Sequence, residues 1–186
     1  MTKIYFVRHA QPDLSVQDDL LRPLTEKGIV DSKKVTEFLL DRGITKIFSS
    51  PYKRTYDTVK DFADKSNLDI NIIEDFRERK IDDVWIEDFN TFAKEQWNNF
   101  DYKLERGESL NEVQKRNIAA LLKIIKENPR ENIVIGTHGT ALSTIINYYD
   151  KNFDYSEFER IKPLMPHIVY INFEGDKATE MKEFIL

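Results

Sequence analysis

Two arginines and two histidines stand where apolar runs of the sequence end. Arg8 and His9 directly follow the first such run. Arg54 lies shortly after the second, and His138 follows a later one. Two guanidinium groups can bind phosphoryl oxygens in a forked geometry, and their positive charge disfavours a protonated imidazole nearby. Because a neutral histidine that attacks phosphorus forms a phosphohistidine that water can cleave, these residues indicate phosphoryl-transfer chemistry.

Two glutamates, Glu74 and Glu78, are candidates for the general acid of such a reaction. The alkoxide that leaves phosphorus needs a proton, and a positioned carboxyl group can supply it. The spacing of the sequence leaves both residues open, and we favour Glu78 with Glu74 as the fallback.

Alternating apolar runs and helical patterns predict the elements that position these residues. Strands are expected at Ile4–Val7, Ile44–Phe48, Leu68–Ile73, Ile133–Ile135, Ile168–Phe173 and Thr179–Ile185, the last two paired as a hairpin across Gly175-Asp176. The alternation predicts an α/β fold of three layers, with a mostly parallel central sheet and helices on both faces. Ligands of such sheets bind outside the carboxyl ends of the strands, so one crevice should collect the arginines and histidines.

Helix-capping residues predict where several helices begin and end. Gly43 is expected to end the first helix as its C′ residue. Ser50 and Pro51 are expected to start the next one as its N-cap and first residue. Ser109 and Glu112 form a capping-box pattern ahead of a long helix. These signals place one helix after each of the first two strands and a long helix later in the chain.

The length of 186 residues predicts one domain, 1–186, rather than two. Residues 79–106 differ from the rest in being rich in charged and aromatic side chains. This segment predicts a small helical cap inserted into the domain, with the aromatic side chains forming a local core.

Charge and cysteine content exclude several classes of function. The 28 basic and 33 acidic side chains give a net charge of -5, which argues against a general nucleic-acid binder. The chain has no cysteine, so disulfides, thiolate nucleophiles and cysteine-ligated metal centres are excluded. No apolar run approaches the ~20 residues that a membrane helix requires. We therefore expect a soluble cytoplasmic protein.

Six short motifs in a fixed order resemble those of one known family. They are Arg8-His9-Ala10-Gln11, Leu24-Thr25-Glu26-Lys27-Gly28, Ser49-Ser50-Pro51-Tyr52-Lys53-Arg54-Thr55, Phe76-Arg77-Glu78, Gly107-Glu108-Ser109 and Thr137-His138-Gly139. A single Arg-His pair would be weak evidence, whereas six ordered motifs with compatible spacing are specific. The sequence thus resembles the histidine phosphatase superfamily, also called the phosphoglycerate-mutase-like fold, over most of its length.

The resemblance implies a role for each matched residue. His9 would be the phosphorylated nucleophile, and Arg8, Arg54 and His138 would complete the phosphate pocket. Glu78, at the position that matches the family's proton donor, would protonate the leaving group and later activate water. No metal and no cofactor are implied, because the arginines neutralise the charge of the phosphoryl group.

Three further side chains, Gln11, Arg79 and His167, are candidates for contact with the substrate. Arg79 opens the cap and offers a positive charge to an anionic substrate. His167 stands where the phosphatase branch commonly carries a small polar motif. A structural role is the alternative for each of them, and for His167 packing is the simpler explanation.

The short cap favours hydrolysis over mutase chemistry. Mutases of the family keep water from their phosphohistidine with a long insertion after the acid-bearing motif, whereas only 28 residues separate Glu78 from Gly107 here. We therefore expect a metal-independent phosphomonoesterase that acts on a small phosphorylated metabolite through a phosphohistidine. A phosphoglycerate mutase and a non-catalytic domain that binds phosphorylated ligands are the alternatives. The sequence indicates neither the natural substrate nor the oligomeric state.

Overall fold

A six-stranded mixed sheet forms the centre of the computed structural model, which describes residues 1–186. Its strands are β1 (Thr2–Arg8), β2 (Lys46–Ser49), β3 (Ile70–Ile72), β4 (Asn132–Thr137), β5 (His167–Glu174) and β6 (Lys177–Ile185). They lie in the order β3-β2-β4-β1-β5-β6. The first four strands in this order are parallel, whereas β5 is antiparallel to β1 and β6 is antiparallel to β5. The sheet is therefore mostly parallel, with the expected hairpin at one edge.

Helices cover both faces of this sheet. They are α1 (Glu26–Leu40), α2 (Lys53–Ser66), α3 (Phe89–Asn98), α4 (Leu110–Glu127), α5 (Gly139–Tyr149) and α6 (Tyr155–Ile161), and a short 3-10 helix spans Glu74–Phe76. Alternate side chains of β1 point to opposite faces: Ile4 and Phe6 pack with α3 to α6, whereas Tyr5 and Val7 pack with α1 and α2. The three-layer α/β fold expected from the sequence is confirmed. None of its helices combines the length and apolar character needed to cross a membrane.

The capping box expected at the start of α4 is present. Ser109 Oγ accepts a hydrogen bond from the main-chain N–H of Glu112 (3.2 Å), and the Glu112 carboxylate accepts one from the N–H of Ser109 (2.8 Å). Both donors would otherwise lack partners at the helix N-terminus. The capping box therefore fixes the conformation of the chain where Gly107 and Glu108 lead into α4.

The prediction that Ser50 and Pro51 start a helix is wrong. α2 begins at Lys53, and its N-cap residue, Tyr52, makes no side-chain capping bond. Ser50 Oγ lies 2.7 Å from Nε2 of His138 and also accepts a hydrogen bond from the N–H of Tyr52. The Ser50 hydroxyl group, which the sequence pattern indicated as a helix N-cap, thus orients His138, the histidine that follows β4.

Gly43 is also placed differently from the prediction. α1 ends at Leu40 with Asp41 as its C-cap, and Gly43 lies two residues further on, in a turn, with a φ of 60°. Glycine adopts this left-handed conformation without the steric cost that a side chain brings. The glycine therefore marks a positive φ, but in the turn after the helix rather than at the helix end.

Residues 79–106 contain the helical cap expected from the sequence. Its one helix, α3, buries Phe92, Ala93 and Trp97. The Trp97 ring lies 5.6 Å from that of Phe158, so the cap packs against α6. The sequence did not indicate α6, because its seven residues are too few to show a helical period.

Candidate active site

The carboxyl ends of β1, β2 and β4 meet at one edge of the sheet. β1 and β4 end in register at Arg8 and Thr137, and β2 ends at Ser49, opposite Gly136 of β4. The segments that follow these three strands therefore start side by side. This register brings together the parts of the sequence that carry the candidate arginines and histidines.

A cavity of about 640 Å³ opens at this edge. Its lining combines the strand ends with the cap and with the loop that precedes α1. The lining residues include Arg8, Asp19, Arg22, Tyr52, Arg54, Glu78, Arg79, Trp85, Gly139 and Lys162. His9 and His138 are buried and do not line the cavity themselves; the His138 ring packs against that of Tyr52, which does, and the His9 ring packs against that of His138. The volume is typical of sites that bind small molecules.

His9 carries its ring proton on Nδ1 and leaves Nε2 unprotonated. Nδ1 lies 2.8 Å from the carbonyl oxygen of Ala10, and a carbonyl can only accept, so Nδ1 is the donor. Ala10 is held in turn, because its N–H donates to Thr58 Oγ1 (3.0 Å). Burial and the positive charges of Arg54 and Arg8 hold the pKa of His9 well below its usual value. The ring is therefore neutral, and Nε2 is suited to nucleophilic attack.

His138 lies against His9 in a position fixed by Ser50 and Tyr52. The ring centroids of the two histidines are 5.3 Å apart, and the Tyr52 ring is 5.0 Å from that of His138. Ser50 Oγ forms a 2.7 Å hydrogen bond with Nε2 of His138. Burial and the charge of Arg54 hold the pKa of His138 well below its usual value. Both histidines are therefore neutral in the folded protein at neutral pH.

Arg8 presents a guanidinium group that the main chain holds in place. Its Nη1 donates to the carbonyl oxygens of Ile161 (2.7 Å) and Leu164 (3.1 Å). Gly139 leaves room for the group, because a Cβ atom there would lie 3.1 Å from Nη2 of Arg8. Burial lowers the pKa of Arg8 to about 10, so the group stays charged at neutral pH. Its Nε has no hydrogen-bond partner in the protein, and both bonds to the main chain use Nη1 alone.

Arg54 and Arg22 share the carboxylate of Asp19. Nη1 of Arg54 donates to the main-chain oxygen of Asp19 (2.6 Å) and lies 3.1 Å from its Oδ1. Nη1 of Arg22 donates to the same Oδ1 (2.6 Å). Both arginines are buried. Sequence reasoning missed Arg22, whose only signal was an acidic residue three positions earlier in a polar loop. The structure thus adds a third guanidinium group to the two that the sequence indicated.

The structure places Glu78, and not Glu74, at the cavity. The Glu78 carboxylate accepts hydrogen bonds from the main-chain N–H groups of Arg79 (2.8 Å), Thr140 (2.9 Å) and Ala141 (3.0 Å). Two of these donors belong to the first turn of α5, where the helix dipole favours a negative group. Glu74 is 69% exposed and does not line the cavity. The geometry therefore supports Glu78 as the candidate acid.

Arg79 lines the cavity, as expected for a residue that contacts the substrate. The side chain is buried and donates to Oε1 of Gln96 (2.7 Å). Its guanidinium carbon lies 5.4 Å and 5.1 Å from the ring centres of Phe89 and Phe92. The cap therefore holds this positive charge firmly beside the cavity.

Gln11 and His167, the other two candidates for contact with the substrate, do not line the cavity. Gln11 is exposed, and its side-chain oxygen accepts a hydrogen bond from Thr25 Oγ1 (3.1 Å). His167 is fully buried on β5, in register opposite Arg8, with its Nε2 3.4 Å from a carboxylate oxygen of Glu183. Both side chains thus have partners within the fold, and their contact with the substrate stays a prediction.

The match to a known family covers nearly the whole chain. The family model described as "Histidine phosphatase superfamily (branch 1)" matches residues 4–183. The chain belongs to this superfamily. The resemblance carried by the six motifs is therefore confirmed.

Relatives of this histidine phosphatase bear the names of phosphatases and of mutases. "Putative phosphoserine phosphatase 2" of Hydrogenobacter thermophilus is 27% identical over 191 residues, which cover 96% of this chain and 93% of the relative. "Probable phosphoglycerate mutase GpmB" of Enterobacter sp. is 30% identical over 161 residues, which cover 79% of this chain and 74% of the relative. The structure of "Bacillus stearothermophilus YhfR" has a TM-score of 0.80 at 22% identity, and the match covers 96% of this chain and 94% of that one. This likeness shows the shared fold. The phosphatase class expected from the sequence is confirmed by the family.

The three buried histidines of this histidine phosphatase predict a loss of stability in mild acid. Burial holds the pKa of His9, His138 and His167 below its usual value, so the unfolded chain binds protons that the folded chain does not. The free energy of unfolding should therefore fall as the pH drops below about 6.5, by up to about 1.4 kcal/mol per pH unit for each histidine. Urea denaturation between about pH 7 and pH 5 measures this dependence.

The variant His167→Asn is the control for this prediction. It removes one of the three histidines, so the steepness of the pH dependence should decrease. A free energy of unfolding that is the same across this pH range would contradict the assignment of three buried neutral histidines. An unchanged steepness in the variant would contradict the assignment of His167.

Proposed function

We propose that this histidine phosphatase is a metal-independent phosphomonoesterase that acts on a small phosphorylated metabolite through a phosphohistidine. One observation carries the proposal: the hydrogen bond from His9 Nδ1 to Ala10 O leaves Nε2 as the unprotonated atom of a buried ring. The positive charges of Arg8, Arg22 and Arg54 all act on this ring. A nucleophile and the groups that neutralise a phosphoryl dianion are therefore assembled from side chains alone.

In the first half-reaction, Nε2 of His9 attacks phosphorus and the bond between phosphorus and the ester oxygen breaks. The guanidinium groups stabilise the negative charge on the phosphoryl oxygens. Glu78 gives its proton to the departing oxygen. Oε1 of Glu78 accepts two hydrogen bonds and Oε2 only one, so Oε2 is the oxygen with room for that proton. The products are the free alcohol and the phosphohistidine.

In the second half-reaction, water attacks the phosphorus atom of the phosphohistidine. Glu78 is now a carboxylate and takes a proton from the attacking water. The bond between nitrogen and phosphorus breaks, and its electron pair returns to Nε2 of His9. Because the same three main-chain donors hold the carboxyl group throughout, one residue can act first as acid and then as base.

The cap supports hydrolysis rather than return of the phosphoryl group to a second hydroxyl. It contains a single helix, α3, and the loop 81–88 along the cavity. In this loop Val84 and Trp85 are 69% and 78% exposed. A short cap with so exposed a loop offers little cover against water, whereas a mutase has to keep water from its phosphohistidine.

The cap also supports an anionic metabolite as the substrate. Arg79 lines the cavity, and its Nε has no hydrogen-bond partner in the protein. Lys80 and Lys162 line the same cavity, where they pair with Asp83 and Glu159. Arg79, which forms no ion pair, favours a substrate with a negative group besides its phosphate, in keeping with a relative named as a phosphoserine phosphatase. The cytoplasmic location expected from the sequence stays a prediction.

Release of phosphate from a panel of phosphorylated metabolites tests the proposal. The panel contains phosphoserine, 3-phosphoglycerate, sugar phosphates and nucleotides, each assayed with and without excess EDTA. We expect release from at least one ester, unaffected by EDTA and absent in His9→Ala. Loss of activity with EDTA, or no release from any ester, would contradict the proposal. Formation of 2-phosphoglycerate from 3-phosphoglycerate and a bisphosphoglycerate primer, without release of phosphate, would instead establish the mutase.

A further inference from the structure

The side chain of Arg116, on α4, holds the segment that carries Glu78. Nη1 of Arg116 donates to the carbonyl oxygens of Asp75 (2.6 Å) and Arg77 (2.9 Å), and Nη2 donates to that of Glu78 (3.3 Å). Asp75 lies within the 3-10 helix, and the segment after this helix is irregular, so no strand or helix supplies partners for the carbonyl groups of Arg77 and Glu78. One side chain, 11% exposed, thus binds all three carbonyl groups.

Glu108 fixes Arg116 and also holds the other side of the same segment. It accepts hydrogen bonds from Nε (2.8 Å) and Nη2 (3.0 Å) of Arg116 in a bidentate pair. It also accepts from the main-chain N–H of Lys80 (3.0 Å) and from Nη2 of Arg77 (3.0 Å). Arg116 and Glu108 therefore contact the chain both before and after Glu78.

The chain around Gly107 and Glu108 lies directly against the segment that follows Glu78. The N–H of Glu108 donates to the carbonyl oxygen of Lys80 (2.8 Å). A Cβ atom on Gly107 would overlap the main-chain oxygen of Ile81, so only glycine allows this approach. The two segments are thus joined by main-chain contacts as well as by the Glu108 side chain.

We propose that Arg116 and Glu108 position Glu78 for proton transfer. The inference rests on the proposed function, in which Glu78 is the proton donor. Neither Arg116 nor Glu108 lines the cavity, so their effect passes through the main chain on either side of Glu78. Proton transfer depends on the position of the carboxyl group within a fraction of an ångström, and without the pair this segment would lose most of its side-chain anchors.

The variant Arg116→Lys tests the positioning role. Lysine keeps the positive charge, which also acts on His138, but it cannot make five hydrogen bonds. We expect kcat/KM to fall by about tenfold or more for an alkyl phosphate and by less than about threefold for p-nitrophenyl phosphate, which needs little proton transfer. The control is Arg42→Lys, an exposed arginine that packs on Phe38 in the other helical layer and should change neither value.

Combination with Glu78→Gln separates a positioning role from a merely structural one. If Arg116 acts through Glu78, Arg116→Lys should lower kcat/KM for the alkyl ester by less than about twofold in the Glu78→Gln background. The positioning role alone would be overturned if the losses of kcat/KM from Arg116→Lys and Glu78→Gln multiply in the double variant. It would also be overturned if Arg116→Lys by itself lowers kcat/KM equally for both esters. If Glu78→Gln does not discriminate between the two esters, the acid role of Glu78 fails and the positioning role fails with it.

A second variant keeps the test decisive if Arg116→Lys does not fold. Glu108→Gln keeps the size of the side chain but removes the charge that holds Arg116. It should show the same preference for p-nitrophenyl phosphate, with a circular dichroism spectrum like that of the unaltered protein. An unchanged ratio of the two kcat/KM values in a folded Glu108→Gln variant would overturn the proposal.

Discussion

His9→Ala should lower kcat for every phosphate ester by more than about 10³-fold. The methyl group offers no atom that can attack phosphorus, whereas the arginines and His138 that we propose to bind the phosphoryl group remain. KM should therefore change much less than kcat. Steady-state kinetics on p-nitrophenyl phosphate and on the best metabolite of the panel measure both constants.

The proposed covalent intermediate gives this prediction a direct readout. Rapid quenching of the reaction with ³²P-labelled substrate should trap a protein-bound phosphate that is stable in base and labile in acid, as expected for a phosphoramidate. The label should be absent in His9→Ala. Labelling that persists in the variant would mean that another residue, such as His138, is the nucleophile.

The matched control for His9→Ala is His167→Asn, which alters another buried histidine outside the cavity. This variant should retain kcat within about threefold, because substitutions away from the reacting atoms act mainly on stability. His9→Ala should stay folded, since the cost of leaving Ala10 O without its donor is about 1–3 kcal/mol. A folded His9→Ala variant with activity near that of the unaltered protein would disprove the nucleophile assignment.

The strand ends that carry the site could be predicted from the sequence because a buried parallel strand leaves a local signal. The apolar run before Arg8 and His9 and the run before His138 each stop abruptly, and the structure ends β1 and β4 in register at these points. The order of the strands in the sheet leaves no such local signal in the sequence. That β1 lies between β4 and β5 depends on pairing between segments more than 120 residues apart, which periodicity does not encode.

The parts of the site that the sequence left open depend on contacts between distant segments. Glu74 and Glu78 lie four residues apart with similar neighbours, so spacing alone leaves both open, and it is the N-terminus of α5, some 60 residues later, that contacts Glu78. Arg22 lies in a loop without periodicity, and its approach to Asp19 and Arg54 is visible only in three dimensions. Ser50 matched a helix-cap pattern, whereas its partner is a histidine 88 residues away. Local sequence patterns thus predicted the site residues that directly follow strands, whereas the positions of the other site residues depend on packing between distant segments.

Glu78→Gln should lower kcat/KM for alkyl phosphates by about 10²-fold or more, and much less for p-nitrophenyl phosphate. An alkoxide is a poor leaving group that needs the proton, whereas nitrophenolate leaves without one. An amide oxygen in the place of Oε1 can still accept from the N–H groups of Arg79 and Ala141, and only the N–H of Thr140 loses its acceptor, so the variant should fold. The measurement is a comparison of kcat/KM across esters whose leaving groups differ in pKa, which should show a steeper dependence in the variant.

Glu74→Gln is the matched control, because it makes the same chemical change four residues earlier on an exposed side chain. It should leave kcat/KM for both classes of ester unchanged. A leaving-group dependence that appears in Glu74→Gln instead would transfer the acid role to Glu74 and require the segment to rearrange when substrate binds. Equal losses for all esters in Glu78→Gln would mean that the carboxylate serves only to hold Arg79 and the start of α5 in place, because a structural defect does not distinguish between leaving groups.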